Sequence, residues 1–318
     1  MTNHTIDDGL NFELAAVAER AAIACGPFVG RGDQHGADQA AVDAMRTALN
    51  ALAIDGTVVI GEGERDEAPM LYIGEKVGTG TGPKVDIALD PLEGTGLCAK
   101  AMANSLAVVA IAEAGTLLHA PDVYMDKLAV GGGLPAGVVD LDASPADNVD
   151  ALARAKGVAP SDITVCILER DRHKDLIGAV RAAGAAVHLI TDGDIAGVIH
   201  TTDPVTGIDM YMGQGGAPEG VLAAAALKSI GGQIQTRLVF RNDDERGRAE
   251  RIGITDLDRK YSLNDLVKGD AVFVATGVTN GTLLDGVTRT SKGISTHTMV
   301  MCSRTGKIHW IKTQHPPA

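Results

Sequence analysis

A short apolar run that ends in a carboxylate-rich hexapeptide constrains the fold of this chain most strongly. Residues 85–89 read Val-Asp-Ile-Ala-Leu and predict a buried strand. The strand is followed by Asp90-Pro91-Leu92-Glu93-Gly94-Thr95, where Gly94 frees the backbone to turn and a helix can begin at Thr95. Two carboxylates with the carbonyl of Leu92 between them could bind hard divalent cations, although an ordinary strand exit has a similar composition.

Composition predicts a large α/β protein. The chain has 318 residues, of which 45% are hydrophobic and only 3% aromatic, so aliphatic residues must supply the buried strands. Its apolar runs are too short to cross a bilayer, and residues 1–12 lack the pattern of a signal peptide, which predicts a cytoplasmic protein. The four cysteines are scattered without a CxxC pair, which argues against a disulfide framework and against a thiolate zinc site.

The charge distribution favours cations as partners. The formal net charge of −13 makes nucleic acid an unsuitable partner. Between Glu62 and Glu93 there are eight acids against three bases. An anionic substrate could approach this region only if metal ions reversed the local field.

The remaining patterns predict helices, strands and ligand-binding loops. Before a Gly-, Pro- and Asp-rich boundary at 131–150, they indicate two helices at 12–24 and 38–53, a strand at 57–60 with an acidic loop at 61–69, and a hairpin of strands 105–112 and 116–120. Beyond the boundary they indicate strands at 163–168, 186–190 and 208–212, a solvated charged helix or loop at 241–251, and further strands over 271–313. The tail 315–318 is predicted to be disordered.

From these patterns we expect two packed sub-domains. Residues 1–136 would form an α+β sub-domain that carries most of the carboxylates, and residues 137–318 an α/β sub-domain with binding loops. In open α/β sheets, ligands bind beyond the carboxyl ends of strands.

Four separate loops each combine glycine with a carboxylate. The carboxylates are Asp38, Glu62, the pair Asp90 and Glu93, and Glu219. Each has a simpler interpretation: a plain N-cap for Asp38, a solvated loop for Glu62, and a favourable helix-dipole contact beside Pro218 for Glu219. Their joint occurrence favours two Mg²⁺ or Mn²⁺ ions, which serve phosphoryl transfer.

Other loops offer polar groups with two interpretations each. Arg172-His173-Lys174 could hold a phosphate or could be the basic first turn of a surface helix. Asp192-Gly193-Asp194 could bind sugar hydroxyls or form a simple turn. The glycine-rich segment 78–83 lacks the spacing of a nucleotide loop and is interpreted as a strand connection. Cys98 is interpreted as a packed thiol because its segment lacks the positive charge that activates a thiolate.

The chain resembles the class II fructose-1,6-bisphosphatases of the lithium-sensitive sugar-phosphatase superfamily. The resemblance covers residues 12–313 and is carried by Gly30–Asp33, Ala37-Asp38, Ile60–Glu64, Asp66–Glu75, Asp90–Thr95, Ala120–Leu128 and Gly215–Gly220. It implies a layered α-β-α-β-α sandwich of the inositol monophosphatase type. It also implies a magnesium- or manganese-dependent hydrolase that acts on a sugar bisphosphate in gluconeogenesis and assembles as a homotetramer.

The same resemblance implies a role for each matching residue. The metal ligands would be Asp38, Glu62, Asp90, the Leu92 carbonyl, Glu93 and Glu219. Thr95 would be the catalytic hydroxyl that handles the attacking water, together with Asp38. The substrate contacts would be Glu93, Gly94, Thr95, Tyr124, Arg172, His173, Lys174, Asp192, Gly193, Asp194 and Gly216. The stretch 168–174 is longer than in relatives, so the register at Arg172 and His173 can shift by a residue or more.

The expected reaction is direct in-line hydrolysis of the 1-phosphate of fructose 1,6-bisphosphate. Sedoheptulose 1,7-bisphosphate is an alternative or additional substrate, because no residue separates the two sugars. An inositol-phosphate phosphatase fits the acidic block at 60–75 less well. A non-catalytic sugar-phosphate sensor is the alternative from another functional class, although it would favour loss of a ligand or of Thr95, and both kinds of residue are kept.

Overall fold

The computed structural model describes residues 8–63 and 70–316, which form an α/β protein with two mixed β-sheets. The described residues divide into two compact units, one made of the residues up to His119 and from Val267 onward, the other of Ala120–Leu266. Within these ranges, no helix combines the length and the apolar character that a membrane span requires.

The first unit begins with two long helices and the strands beneath them. Its elements up to His119 are α1 (Asp8–Cys25), α2 (Gln34–Asn50), β1 (Asp55–Ile60), β2 (Lys76–Val77), β3 (Lys84–Glu93), α3 (Thr95–Ala99) and β4 (Leu106–Glu113). Helix α2 begins four residues earlier than predicted, because the Asp33 side chain accepts a hydrogen bond from the Gly36 N–H at 2.8 Å and caps it. Asp38 therefore lies inside the helix, and its interpretation as an N-cap is wrong.

The second unit contains the middle of the chain. Its elements are β5 (Tyr124–Val130), α4 (Pro145–Lys156), β6 (Thr164–Leu168), α5 (Lys174–Ala182), β7 (Ala186–Ile190), α6 (Asp194–His200), β8 (Met210–Gly216), α7 (Ala217–Ile230), β9 (Gln233–Val239), α8 (Asp243–Arg251), β10 (Lys260–Ser262) and α9 (Leu263–Leu266). The charged segment 241–251 is thus largely a helix, which is one of the two predicted forms.

The chain then returns to the first unit with β11 (Ala271–Gly277), β12 (Thr288–Thr290), β13 (Gly293–Cys302) and β14 (Lys307–His315). Strand β11 pairs with β4 along its whole length, from Ala271 opposite Ala112 to Gly277 opposite Leu106. This long-range pairing makes the C-terminal strands part of the first sheet. The division of the chain consequently differs from the predicted one at residues 136 and 137.

The first unit is a mixed sheet covered by α1 and α2. The strand order is β12-β13-β11-β4-β3-β1-β2, with β14 also paired to β13. Helix α1 buries Leu14 and α2 buries Met45 against Ile87 and Leu89 of β3 and Ile111 of β4. Burial of such a side chain stabilises the fold by about 1.5–3 kcal/mol. These residues alternate along the strands, which leaves the other strand positions on the opposite face.

The second unit is a sheet with helices on both faces. The strand order is β10-β9-β5-β8-β6-β7. Val149 of α4 and Val180 of α5 pack with Leu128 and Ile167 on one face. On the other face, a Cβ atom on Gly197 of α6 would lie 3.0–3.2 Å from side-chain atoms of Ile190, Cys166 and Tyr211, so the absence of a side chain lets α6 pack closely on the strands. Two mixed sheets with helices packed on them confirm the expected α/β class.

Two predicted elements differ from the structure. The predicted hairpin lacks its second strand, since Leu117 makes only a single bridge to Val267. The predicted disordered tail starts too early, since His315 ends β14 and lies opposite Ile294 of β13. Pro317 and Ala318 lie outside the described residues.

The segment 78–83 connects β2 to β3, which confirms its interpretation as a strand connection. Strands β3 and β8 each continue beyond their predicted ends, to Glu93 and to Gly216. The hexapeptide is therefore mostly strand, and the site residues it carries lie at the end of a sheet strand.

Candidate functional site

A β-bulge at the end of β3 orients the two carboxylates of the hexapeptide. Asp90 lies opposite Val108 of β4 and Glu93 opposite Leu106, so three steps along β3 match two steps along β4. In a regular strand, residues three apart point to opposite faces. The extra residue reverses this alternation, so Asp90 and Glu93 point to the same face of the sheet.

Hydrogen bonds within the bulge and from Ser105, the residue before β4, hold the bulge in place. The Leu92 N–H donates to the Asp90 carboxylate at 3.1 Å, and the Ser105 hydroxyl donates to the Glu93 carbonyl at 3.0 Å. The side chain of Leu92 lies in the core beneath α1 and α2, so the ligand it could offer is its carbonyl oxygen. Glu93 is buried and Asp90 is half-buried.

Gly94 sets the direction of the chain after the bulge. Its backbone is left-handed, with φ 74° and ψ 53°, and a Cβ atom there would lie 2.8 Å from Leu97 Cδ1. Both facts exclude a larger residue without strain. The turn starts α3 at Thr95, whose hydroxyl is half-buried directly after the two carboxylates.

Glu62 follows β1 at the same edge of the sheet. Strands β1 and β3 are parallel neighbours, with Val58 opposite Ile87, so their carboxyl ends lie side by side. The Glu62 N–H donates to the Leu71 carbonyl at 3.0 Å, and a Cβ atom on Gly61 would lie 2.1 Å from that same oxygen. Glu62 is thus half-buried in an ordered turn rather than in a fully solvated loop. The neighbouring predicted acids Glu64, Asp66 and Glu67 lie outside the described residues.

Asp38 of α2 lies in the same part of the first unit. Burial raises its pKa above the ordinary value, and the nearby His35 opposes the shift. The pKa of the Cys25 thiol is raised by burial first and then by the charges of Cys98, Asp38 and Asp90. Asp38 and Asp90 therefore lie within electrostatic range of the same thiol.

The loop before α2 is tied to α3, which places Asp38 close to the bulge. The Gly30 N–H donates to the Cys98 carbonyl at 3.0 Å, and the Gly32 N–H donates to the Ala99 carbonyl at 2.9 Å. Cys98 is buried, and burial raises its thiol pKa to about 11. A buried, protonated thiol fits the predicted packing role.

In the second unit, Glu219 lies in the first turn of α7. Gly216 caps that helix, and a Cβ atom on Gly216 would lie 2.0 Å from Glu219 Oε2. The missing side chain at position 216 thus makes room for the carboxylate. In the first turn of α7, the Glu219 carboxylate makes a favourable contact with the helix dipole, which was its simpler interpretation. The same position is compatible with metal binding.

Tyr124 and Arg172, two of the predicted substrate contacts, pack against each other. The Arg172 guanidinium carbon lies 4.8 Å from the centroid of the Tyr124 ring. Its Nη2 and Nε donate to the Gln214 carbonyl at 2.6 and 3.3 Å. The exposed guanidinium is therefore held in place by the main chain of β8.

His173 and Lys174 are engaged differently. The His173 Nδ1 lies 2.7 Å from the Leu168 carbonyl, and its Nε2 accepts from the Gln214 N–H at 2.8 Å. Burial also lowers its pKa, which favours the neutral ring that these contacts require. His173 thus supports Gln214, with both ring nitrogens already used. Lys174 makes an exposed ion pair with Asp171 at 2.9 Å, as a basic first helical turn would.

The Asp192–Asp194 loop is fixed by a buried ion pair. Asp194 Oδ2 lies 2.5 Å from the Nζ of Lys127, whose side chain is only 1% exposed. Removing one partner of such a pair costs about 3–5 kcal/mol. Gly193 is left-handed, with φ 83°, and half-buried Asp192 accepts a hydrogen bond from its N–H at 3.1 Å. Asp194 holds the loop, while Asp192 and Gly193 lie at its turn.

Sequence reasoning missed Arg241 and Arg170 of these loops, and it noted Lys127 only within the segment Ala120–Leu128. Arg241 lies 4.9 Å from the Tyr124 ring, Arg170 donates to the Thr191 carbonyl at 2.5 Å, and Lys127 pairs with Asp194. Arg241 lies two residues beyond the end of β9, so the strand-end rule applied to the other loops could have found it.

Comparison with known proteins gives one matching family. The family model described as bacterial fructose-1,6-bisphosphatase, glpX-encoded, matches residues 8–315.

Curated relatives align over almost the whole chain. A protein named D-fructose 1,6-bisphosphatase class 2/sedoheptulose 1,7-bisphosphatase from Synechococcus sp. strain CC9311 is 44% identical over 326 residues, which cover 96% of this chain and 97% of the relative. A protein of the same name from strain RCC307 is 43% identical, with 98% and 97% covered. A third from strain CC9902 is 43% identical, with 96% and 97% covered.

Proposed function

Because the chain belongs to the glpX-encoded family of bacterial fructose-1,6-bisphosphatases, we propose that it hydrolyses the 1-phosphate of fructose 1,6-bisphosphate, releasing fructose 6-phosphate and inorganic phosphate. It is an enzyme of carbohydrate metabolism, a phosphoric monoester hydrolase. The bulged end of β3 is the observation that carries this function, because it turns Asp90 and Glu93 to one face beside Thr95.

The donor set of the first unit fits divalent cations. Asp38, Glu62, Asp90 and Glu93 offer hard carboxylate oxygens, and the Leu92 carbonyl adds a neutral one. Burial raises the pKa of Asp38, which a bound cation would offset. We propose that these groups and Glu219 are ligands of Mg²⁺ or Mn²⁺. When bound, such ions neutralise phosphate oxygens and make water more acidic.

Thr95 and Asp38 are proposed to handle the attacking water. The Thr95 hydroxyl orients the water by a hydrogen bond, and the Asp38 carboxylate accepts the proton that the water loses. The neighbouring main-chain N–H groups of Gly94 and Thr95 are suited to donate to the phosphate, because the left-handed Gly94 turns the backbone at this point. Direct transfer to water needs no covalent intermediate on the protein.

Residues of the second unit are proposed to bind the sugar bisphosphate. Arg172 and Tyr124 would contact its anionic and apolar parts, and Asp192 with Gly193 would contact its hydroxyls. Three other predicted residues would position neighbouring groups of the site. His173 supports Gln214, Asp194 anchors its loop, and Gly216 makes room for Glu219.

Sedoheptulose 1,7-bisphosphate is a second candidate substrate. The observation that favours it is the name shared by three relatives, which joins both activities. We propose a dual activity, and the relative kcat/KM values for the two sugars would measure its balance.

A phosphate-release panel tests the proposal. Purified protein is expected to release phosphate from fructose 1,6-bisphosphate with Mg²⁺ or Mn²⁺ and to stop when EDTA is added. Binding of the sugar in calorimetry without release at any metal concentration would instead support a non-catalytic sensor. Failure to bind or cleave either bisphosphate would reject both functions.

The proposal includes a cytoplasmic location and a homo-oligomer, with a tetramer as the expected state. Size-exclusion chromatography with light scattering would measure the assembly. A monomeric active protein would show that assembly is not needed for hydrolysis.

A further inference from the structure

Two arginines share the ring of one tyrosine in the second unit. The guanidinium carbons of Arg172 and Arg241 lie 4.8 and 4.9 Å from the centroid of the Tyr124 ring. Each contact alone is a favourable cation–π interaction. Two positive groups against one ring also concentrate positive charge there, and an anion can neutralise that charge.

Hydrogen bonds or ion pairs hold each guanidinium through the edge formed by Nε and Nη2. Arg172 uses Nε and Nη2 on the Gln214 carbonyl. Arg241 donates from Nε to Glu245 Oε1 at 2.6 Å, and its Nη2 pairs with the same oxygen. A guanidinium has five N–H donors, so these contacts use the same edge of both side chains and do not involve Nη1.

Glu245 fixes Arg241 with little freedom. The Glu245 side chain is 1% exposed, whereas that of Arg241 is 57% exposed. The second carboxylate oxygen of Glu245 accepts a hydrogen bond from the main-chain N–H of Arg241 at 2.7 Å. A donor that is already fixed loses little conformational entropy when a ligand binds.

Among the described residues, Arg259 makes a comparable contact with a tyrosine ring that no second arginine shares. Arg259 lies 5.0 Å from the Tyr261 ring and pairs with Asp265 at 2.5 Å. That arrangement shows that a carboxylate and one arginine suffice to pack a tyrosine in this unit. The second arginine at Tyr124 therefore points to a ligand rather than to packing alone.

We propose that Arg241 is a specificity-determining residue that binds, with Arg172 and Tyr124, the phosphate of the substrate that is not hydrolysed. This role rests on the proposed function. A phosphate monoester is a dianion with several acceptor oxygens, and fixed guanidinium groups bind it by charge-assisted hydrogen bonds. Arg241 thus selects bisphosphates over esters that carry only the reacting phosphate.

The test compares fructose 1,6-bisphosphate with fructose 1-phosphate at saturating Mg²⁺. For Arg241→Met, the ratio of the two kcat/KM values is expected to fall by about 10- to 100-fold, through KM rather than kcat, since one charge-assisted contact is lost. Arg241→Lys keeps the charge beside buried Glu245 but not the planar fork, so the ratio should fall several-fold in a folded protein.

Arg259→Met is the matched control, because it removes an arginine with the same kinds of contact elsewhere in the unit. An unchanged ratio in Arg241→Lys and in folded Arg241→Met would overturn the proposal, as would an equal fall in the control. If wild-type protein cleaves neither ester, the proposed function fails separately. In that case, calorimetry with fructose 6-phosphate tests the role of Arg241 by itself. Weaker binding by Arg241→Lys than by the wild type supports the role, and unchanged binding rejects it.

Discussion

The two units hold opposite charges at their strand ends, and they hold them in different ways. In the first unit, the carboxylates Asp90 and Glu93 are built into the last residues of β3 by a bulge. In the second unit, the guanidinium groups of Arg172 and Arg241 lie on loops and are fixed by a carbonyl and a buried carboxylate. The proposed cation-binding edge thus depends on strand register, whereas the proposed anion-binding loops depend on side-chain anchors.

This difference separates the effects that substitutions should have. Changes at the bulge should alter catalysis and metal dependence, because those groups are proposed to act on the reacting phosphate and its ions. Changes at the loops should alter substrate affinity. A loop substitution that altered metal dependence, or a bulge substitution that altered only substrate affinity, would contradict this comparison.

The largest effect is expected at Thr95. Thr95→Ala should lower kcat by about 10²–10⁴-fold, because the group that orients the attacking water is lost. Phosphate release at saturating metal and substrate measures the change. Thr81→Ala, at an exposed threonine of the β2–β3 connection, is the matched control. Turnover like that of the wild type would remove Thr95 from the mechanism.

The next effect concerns the bulge carboxylates. Glu93→Gln should raise the Mg²⁺ or Mn²⁺ concentration for half-maximal activity by at least about 10- to 100-fold, since a charged oxygen becomes a neutral amide. A metal titration of activity measures it. Glu113→Gln, at an exposed acid at the end of β4, provides the control. Equal titrations for both variants would show that Glu93 is no ligand.

Glu219 tests the comparison most directly, because it is a carboxylate in the unit of the arginines. Glu219→Gln should raise the metal requirement by about tenfold, without unfolding the chain. The same titration and a thermal melt measure the two quantities. If the metal requirement stays unchanged, cation binding belongs to the first unit alone and the comparison becomes sharper.

The smallest effect concerns stability without metal. Burial raises the pKa of Asp38 in the folded state above its unfolded value, so its contribution to stability is lost as the pH rises through the folded pKa. In EDTA, Asp38→Asn should therefore melt a few degrees higher than the wild type at pH 8, with a smaller difference at acid pH. Thermal melts at both values measure this. A lower Tm for the variant at pH 8 would contradict the argument.

Much of the fold was visible in local patterns. Strand β7 was predicted within its observed bounds, and β1, β3 and β6 were predicted to within a few residues at their starts, since short apolar runs between turn residues have few other forms. The start of α2 was missed because the cap is Asp33, whose contact with Gly36 depends on the local turn. The division of the chain was missed because β11 pairs with β4 across the whole second unit.

The loops of the candidate site were predictable from the sequence, but the contacts of their side chains were not. His173 was read as a phosphate ligand because it follows a strand, yet both its ring nitrogens contact the main chain. Asp194 has the same composition signal as Asp192, yet it is buried against Lys127. Burial and pairing depend on residues distant in the sequence, which local spacing does not contain.

By itself, the sequence determined the α/β class, the family and the set of carboxylates, because these depend on residue type and local spacing. Tertiary structure alone decided which of these side chains share a face and which are held by contacts with other residues. A one-residue bulge opposite β4 turns Asp90 and Glu93 to one face, and buried Glu245 holds Arg241 at Tyr124. Register and burial arise from long-range pairing, so the same residues acquire their roles only once the chain is folded.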